Sequence, residues 1–221
     1  MSAGFFVTGT DTGIGKTFIS CLILKHFAAQ QKKVAGMKPI AAGSENGKWQ
    51  DVELLRAVSN VNVPDEYMNP YAFADPIAPH VAAERENVTI DIARIKSACN
   101  ALAKKADVVV VEGVGGFLVP ISAHETTADM AESLNLPVIL VVGMRLGCIN
   151  HALLTVQAIK HRHLPLVGWV ANCIDPDMLM LEENIVALQQ RIDAPLLGKV
   201  PFAEIPDMAQ FSQCINFERW N

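Results

Sequence analysis

The stretch Gly9-Thr10-Asp11-Thr12-Gly13-Ile14-Gly15-Lys16-Thr17 sets glycines, a cation and a hydroxyl between an apolar run, Phe5 to Val7, and an apolar-periodic segment, Phe18 to Phe27. A glycine-rich loop joining a strand to a helix turns backbone N–H groups and the positive helix end toward an anion, and a closing Gly-Lys-Thr suits nucleotide phosphates. In that chemistry the lysine reaches the outer phosphates and the threonine hydroxyl ligates Mg²⁺. The spacing is a variant. Counting back from Gly15, the place of the first glycine of the usual phosphate loop holds Thr10, and Gly9 lies one residue earlier.

Other chemical groups stand at strand ends. Val108 to Val111 runs into Glu112-Gly113-Val114-Gly115-Gly116. A buried strand that delivers a carboxylate at its C-terminal end, before glycines that admit a ligand to the backbone, has the form of a metal-facing acid in nucleotide enzymes. Glu112 could instead only close the strand, but a glutamate there is costly to desolvate without a purpose. Lys38 follows the run Val34 to Met37 and precedes Pro39, which puts its ammonium at the same sheet edge as Lys16. Two cations converging on one crevice suit phosphoryl transfer. Asp51 opens a helix after a glycine-bearing loop, where an aspartate serves equally well as an N-cap, and both readings stand.

These groups need a frame that carries them to one edge. Strand-like runs lie at Gly4 to Thr8, Val34 to Met37, Val108 to Val111, Val138 to Val142, Leu166 to Ala171 and Leu196 to Val200. Helical patterns at Lys16 to Gln30, Asp51 to Ser59, Ile90 to Lys105, Thr127 to Leu134, Ile149 to His161 and Met178 to Gln190 alternate with them. Continuous Val/Ile/Leu runs are what a parallel sheet covered on both faces requires. The expected fold is α/β: one doubly wound, mainly parallel sheet over residues 1–221, with helices on both faces and ligand chemistry in the loops after the strands. Ile40 to Gln50 and Tyr67 to His80 read as such loops.

Bulk properties narrow the classes. The 221 residues are 51% hydrophobic and 19% charged, with a formal charge of −5, which disfavours general nucleic-acid binding. No apolar run has the length of a membrane span, and the N-terminus has no leader pattern, so a cytoplasmic protein with small-molecule partners is expected. Cys21, Cys99, Cys148, Cys173 and Cys214 are scattered without a C-x-x-C pair, supporting neither a disulfide framework nor a zinc site. His161 and His163 flank Arg162 near a helix end, where cations complement the dipole.

The strings GTDTGIGKT (9–17), AGMKPIAAG (35–43), NPYAFADPIAPH (69–80), VEGVGGFLVPI (111–121), PVILVVGMRLGCINHALLT (137–155) and GWVANC (168–173) resemble the dethiobiotin synthetase family, in order and over nearly the whole chain. The resemblance implies a P-loop NTPase-like fold and conversion of 7,8-diaminononanoate, CO₂ and ATP to dethiobiotin, ADP and phosphate. It implies that one amine becomes a carbamate, ATP phosphorylates that carbamate, and the second amine closes the ring. Lys16 and Lys38 would then be the catalytic cations, with Thr17, Asp51 and Glu112 holding Mg²⁺. Thr12, Gly13, Ile14, Gly15, Lys16 and Thr17 would wrap the ATP phosphates, and Phe18 would belong to the same ATP site. Gly113, Val114, Gly115, Asn172, Cys173, Pro201, Phe202 and Ala203 would complete the nucleotide site, Asn172 by reading the adenine edge. Lys38 and Ala42 would touch the diamine, and Gly147, Cys148, Ile149 and Asn150 would offer helix N-terminal amides to its carboxylate from the partner chain of a homodimer.

Three positions depart from the family pattern: Gly13 replaces a frequent glutamate, Ala42 a small hydroxyl residue and Ala78 a frequent serine. A nucleotide-switched ATPase of the partitioning or septum-positioning kind is the competing expectation. Such proteins carry a signature lysine five residues before the loop lysine, where this chain has Asp11, and a C-terminal amphipathic helix, for which Phe217 to Asn221 is too short and too mixed in charge.

Overall fold

The computed structural model describes residues 3–204, 208–211 and 213–216; the segment 217–221 lies outside the described residues. The chain runs β1 (Ala3–Gly9), α1 (Lys16–Ala29), β2 (Val34–Met37), β3 (Ile40–Ala42), α2 (Gln50–Val58), α3 (Asp65–Met68), β4 (Tyr71–Phe73) and α4 (Pro79–Arg85). It continues through α5 (Ile92–Ala103), β5 (Val108–Glu112), α6 (Thr127–Leu134), β6 (Val138–Met144), α7 (Cys148–His161), β7 (Leu166–Cys173), α8 (Leu181–Gln189) and β8 (Leu196–Val200). Among the described residues no helix is long and apolar enough to cross a membrane.

Six strands form one parallel sheet in the order β2-β5-β1-β6-β7-β8. Successive side chains of a strand point to opposite faces. Phe5 and Val7 accordingly join Val108 and Val110 in the core beneath α1, while Phe6 joins Met37, Val109 and Val111 on the other face. Both faces are covered, which is why these strands read as unbroken apolar runs rather than alternating ones. α1 is buried on most of its circumference, from Ile19 to Phe27, and Phe18 on its rim meets Phe211 edge-on with ring centroids 5.7 Å apart.

The chain turns from one half of the sheet to the other beside β1, which lies between β5 and β6. In open α/β sheets such a reversal opens a crevice at the carboxyl edge. β1 ends at Gly9, β5 at Glu112 and β6 at Met144, so the glycine loop, the glutamate and the turn before α7 share that edge.

The two stretches read as loops contain more structure than expected. Ile40–Ala42 and Tyr71–Phe73 pair in parallel as a small second sheet, with α4 packed against it. Three-residue strands are too short to show a period, and each exists only because its partner lies some thirty residues away in sequence. The remaining expected elements occur, with ends moved by a few residues: β6 and β7 run on to Met144 and Cys173, and α8 begins at Leu181 rather than Met178.

Candidate active site

The loop between β1 and α1 owes its path to close packing. The side chain of Ile14, 1% exposed, fills the space between two strand ends: a Cβ on Gly9 would stand 2.5 Å from its Cδ1, and a Cβ on Gly143 2.5 Å from its Cγ2. Gly9, out of step with the usual phosphate loop, is therefore a packing residue. Gly15 has φ +87°, and a Cβ there would lie 2.3 Å from Nδ2 of Asn172. Glycine answers both the left-handed backbone and the contact. Asn172, at the end of β7, donates from Nδ2 to the Ile14 carbonyl at 2.7 Å, so the residue expected at the adenine edge also clamps the loop.

Lys16 is 6% exposed and donates from Nζ to the Asp11 carbonyl at 2.7 Å. Burial, and then the charge of Lys38, pull its pKa down from the usual lysine range to about 8, against the opposing pull of Glu112, Asp51 and Asp11. A bound phosphate would push that pKa back up. The loop places a desolvated cation beside the free N–H groups of the α1 N-terminus, the arrangement that favours an anion.

Four of the expected residues meet at one point. Lys38 donates from Nζ to Glu112 Oε1 at 2.6 Å and to the Gly113 carbonyl at 3.2 Å, and lies 2.8 Å from Asp51 Oδ2. Thr17 Oγ1 donates to Glu112 Oε1 at 2.9 Å, and its hydroxyl beside Asp51 helps to hold that carboxyl down. Burial acts against the charges of both Lys38 and Asp51, but their pairing outweighs it: the ammonium is held above the usual lysine range and the carboxyl below its own. Asp51 is the second residue of α2, one turn-position inside the helix. Trp49 holds the N-cap place with an extended backbone, so the capping reading of Asp51 is corrected to an ion pair.

The donor set fits a magnesium ion. Mg²⁺ takes hard oxygen ligands, usually one or two carboxylates with water and substrate phosphates, rather than a cage of protein groups. Thr17, Asp51 and Glu112 offer a hydroxyl and two carboxylates beside the phosphate loop, and Glu112 Oε2 is buried with no hydrogen-bond partner. Such an unpaired buried oxygen is costly unless something binds it.

Other expected residues surround this centre at greater remove. A Cβ on Gly115 would stand 3.4 Å from Thr12 Oγ1, which brings the loop after β5 against the phosphate loop. Cys173 is buried, Phe202 is 43% exposed, Pro201 is exposed and Ala203 packs on the α1 core. Gly147 caps α7 with φ +93°; Cys148 behind it is buried, Ile149 half-buried and Asn150 exposed. Ala42 ends β3, half-buried. Ala78 is the N-cap of α4 and has no capping side chain, so a serine here would serve the helix as well as any ligand.

Three positioning residues escape a local reading. Asn69 donates from Nδ2 to the Lys38 carbonyl at 2.7 Å and to the Tyr71 carbonyl at 2.9 Å, while the Lys38 N–H donates to Met68 at 2.8 Å, so the backbone of Lys38 is fixed on both sides. Trp49 donates from its indole to the Phe73 carbonyl at 2.8 Å, anchoring the start of α2 and hence Asp51. Asp11 ties its carboxylate to Arg145 at the end of β6, joining the phosphate loop to the turn before α7. The only sequence signal for Asn69 and Arg145 was their place inside family-like strings.

A family profile described as an AAA domain matches residues 3–208. The chain is 55% identical over 219 residues to an ATP-dependent dethiobiotin synthetase of Nitrosospira multiformis, covering 99% of this chain and 97% of that protein. It is 54% identical to the protein of the same name from Aromatoleum aromaticum, over 93% of each chain. Among solved structures, the septum site-determining protein MinD of Pyrococcus horikoshii with Mg-ADP matches with a TM-score of 0.57 at 14% identity, over 91% of this chain and 82% of that one. A ParA family ATPase from Chlorobium tepidum matches with 0.57 at 17% identity, over 96% and 87%. These last two likenesses concern the fold alone. With identity of this order over nearly the full length, the chain belongs to the ATP-dependent dethiobiotin synthetase family.

Proposed function

We propose that this chain, an enzyme by its family, converts 7,8-diaminononanoate, CO₂ and ATP to dethiobiotin, ADP and phosphate. The observation that carries the reading is the full-length family match, and the convergence of Lys16, Thr17, Lys38, Asp51 and Glu112 at one sheet edge supports it. One amine of the diamine attacks CO₂ and loses a proton, giving a carbamate. A carbamate oxygen takes the γ-phosphoryl group as ADP leaves. The second amine then attacks the carbonyl carbon, expels phosphate and loses a proton, closing the cyclic urea.

Each step gathers negative charge in a place that this chain supplies with donors. The amides from Gly13 to Thr17, with Lys16, hold the phosphates, and Thr12 and Gly113 to Gly115 line the approach. Lys38 neutralises the carbamate and the moving phosphoryl oxygens, the preorganised electrostatic role that contributes most to such transfers. Thr17, Asp51 and Glu112 hold Mg²⁺, which when bound supplies charge neutralisation to the outer phosphates. Asn172 and Cys173, with the segment from Pro201 to Ala203, border the base. The turn from Gly147 to Asn150 offers the amides of the α7 N-terminus to the substrate carboxylate from the partner subunit of a cytoplasmic homodimer.

The test supplies purified protein with labelled bicarbonate, ATP, Mg²⁺ and the diamine, and follows a labelled product of dethiobiotin mass. ADP should form only when the diamine is present. Steady ATP cleavage without diamine, or no labelled ring product, would overturn the assignment and return the chain to the nucleotide-switch class.

A further inference from the structure

The ammonium of Lys38 is 4% exposed and engaged by Glu112, itself 1% exposed, and by the half-exposed Asp51, so as it stands it is not free to meet substrate. We propose that Lys38 is the resting counter-ion of the two metal acids, released toward the substrate only when Asp51 and Glu112 take a divalent cation. The proposal rests on the metal set of the preceding section and adds that one site serves two cations in turn.

Three observations support it. The same oxygen, Glu112 Oε1, accepts from both Thr17 and Lys38, so the lysine already shares the hydroxyl and carboxylates assigned to the metal. A dication held by these carboxylates would cancel the charge that retains the ammonium and set like charges side by side next to the buried Glu112. The neutral Gly113 carbonyl, at 3.2 Å, would be its remaining partner. The backbone of Lys38 is meanwhile fixed, by its N–H to Met68 and by Asn69 to its carbonyl. Movement is therefore confined to the four-carbon stem, which pivots from a set Cα toward the crevice it shares with Lys16. A lysine released in this way reaches the carbamate only in a metal-loaded site, and phosphoryl transfer without the metal is suppressed.

Mn²⁺ binding to the nucleotide-free protein, read from the loss of the free-ion paramagnetic resonance signal, separates the two claims. Lys38→Met should bind Mn²⁺ about tenfold or more tightly than the unaltered protein, since the ion no longer competes with a charged hydrogen bond. Adding Glu112→Gln to Lys38→Met should abolish the gain. If Glu112→Gln weakens Mn²⁺ binding while Lys38→Met leaves it unchanged or weaker, the metal set survives and the exchange is overturned. If Glu112→Gln has no effect in either background, the metal set itself fails. Should Lys38→Met not fold, the unaltered protein decides. In lysine labelled with ¹⁵N at Nζ, the buried ammonium groups of Lys16 and Lys38 should both be protected without metal; the Lys38 resonance, told apart by the loss of the other in Lys16→Met, should hold with ADP alone and shift or lose its protection as Mg²⁺ is added. A resonance unmoved at saturating Mg²⁺·ADP would overturn the exchange.

Discussion

Replacing Gly15 with alanine tests whether the phosphate loop is shaped by its contact with the end of β7. Gly15 has φ +87°, and a residue bearing a Cβ pays about 1–2 kcal/mol to sit in the left-handed region. The new methyl would also stand 2.3 Å from Asn172 Nδ2 and 3.4 Å from its Cγ. No real contact is that short, so the amide must leave its 2.7 Å bond to the Ile14 carbonyl. Stranding a buried donor and acceptor costs about 1–3 kcal/mol, which brings the whole to roughly 2–5 kcal/mol. For a chain of this size each kcal/mol lowers the melting temperature by about 2–4 °C.

A double-mutant cycle separates the two causes. Asn172→Ala removes the obstructing amide, so in that background Gly15→Ala should cost only the backbone term, about 1–2 kcal/mol. The coupling between the sites should then be about 1–3 kcal/mol, measured from urea unfolding midpoints of the nucleotide-free proteins. ADP affinity should fall in both single variants, because each frees the Ile14 carbonyl to turn away from its place in the loop. Additive effects, with a coupling below about 0.5 kcal/mol, would refute the idea that Gly15 and Asn172 hold the loop jointly.

Further outcomes follow from the charges at the crevice. Lys16 sits at a pKa of about 8, and a bound phosphate raises it; between pH 8 and the raised value the complex holds more protons than the free protein. ADP binding at pH 8.5 should therefore take up protons and weaken as pH rises, seen as a buffer-dependent heat in calorimetry that vanishes in Lys16→Met. Lys16→Ala and Lys38→Ala should each lower turnover by about 10²–10³ with the fold intact by circular dichroism, and near-normal turnover in Lys38→Ala would remove that residue from the reacting centre. Mixing inactive Lys16→Ala chains with chains disabled by Gly147→Pro should regenerate activity if each site borrows the α7 turn from its partner; no recovery, with mixed dimers seen by native mass spectrometry, would confine the carboxylate site to one chain.

What the sequence made legible was what is local. The glycine loop and the helix after it, the glutamate closing a valine strand and the lysine before Pro39 are each fixed by a few neighbours along the chain, and each lies at the sheet edge where alternating strands and helices place it. The small sheet of β3 and β4 was not legible, because neither three-residue strand has a pattern of its own. Asn69 was missed for a similar reason: its worth lies in the Lys38 carbonyl, thirty-one positions away, and nothing beside it in sequence announces that bond. Asn172 was placed at the site, but its bond to the phosphate loop spans the whole molecule.

Asp51 marks the boundary between the two kinds of information. From sequence it was an N-cap or a functional acid, since an aspartate at a helix start satisfies either. The decision turns on a shift of two residues. The indole of Trp49, bound to the Phe73 carbonyl, fixes the extended residue from which α2 departs, so the helix starts at Gln50 and Asp51 lies inside it. Within the first turn a carboxylate still benefits from the helix dipole, but its oxygens are no longer needed by the backbone. They are left for Lys38 and Thr17, partners reached through the parallel sheet rather than along the chain. Trp49 thereby aims Asp51 at the site without touching it. Trp49→Phe, which keeps the ring and removes the donor, should loosen the start of α2 and weaken divalent-cation binding while leaving the main sheet unaltered.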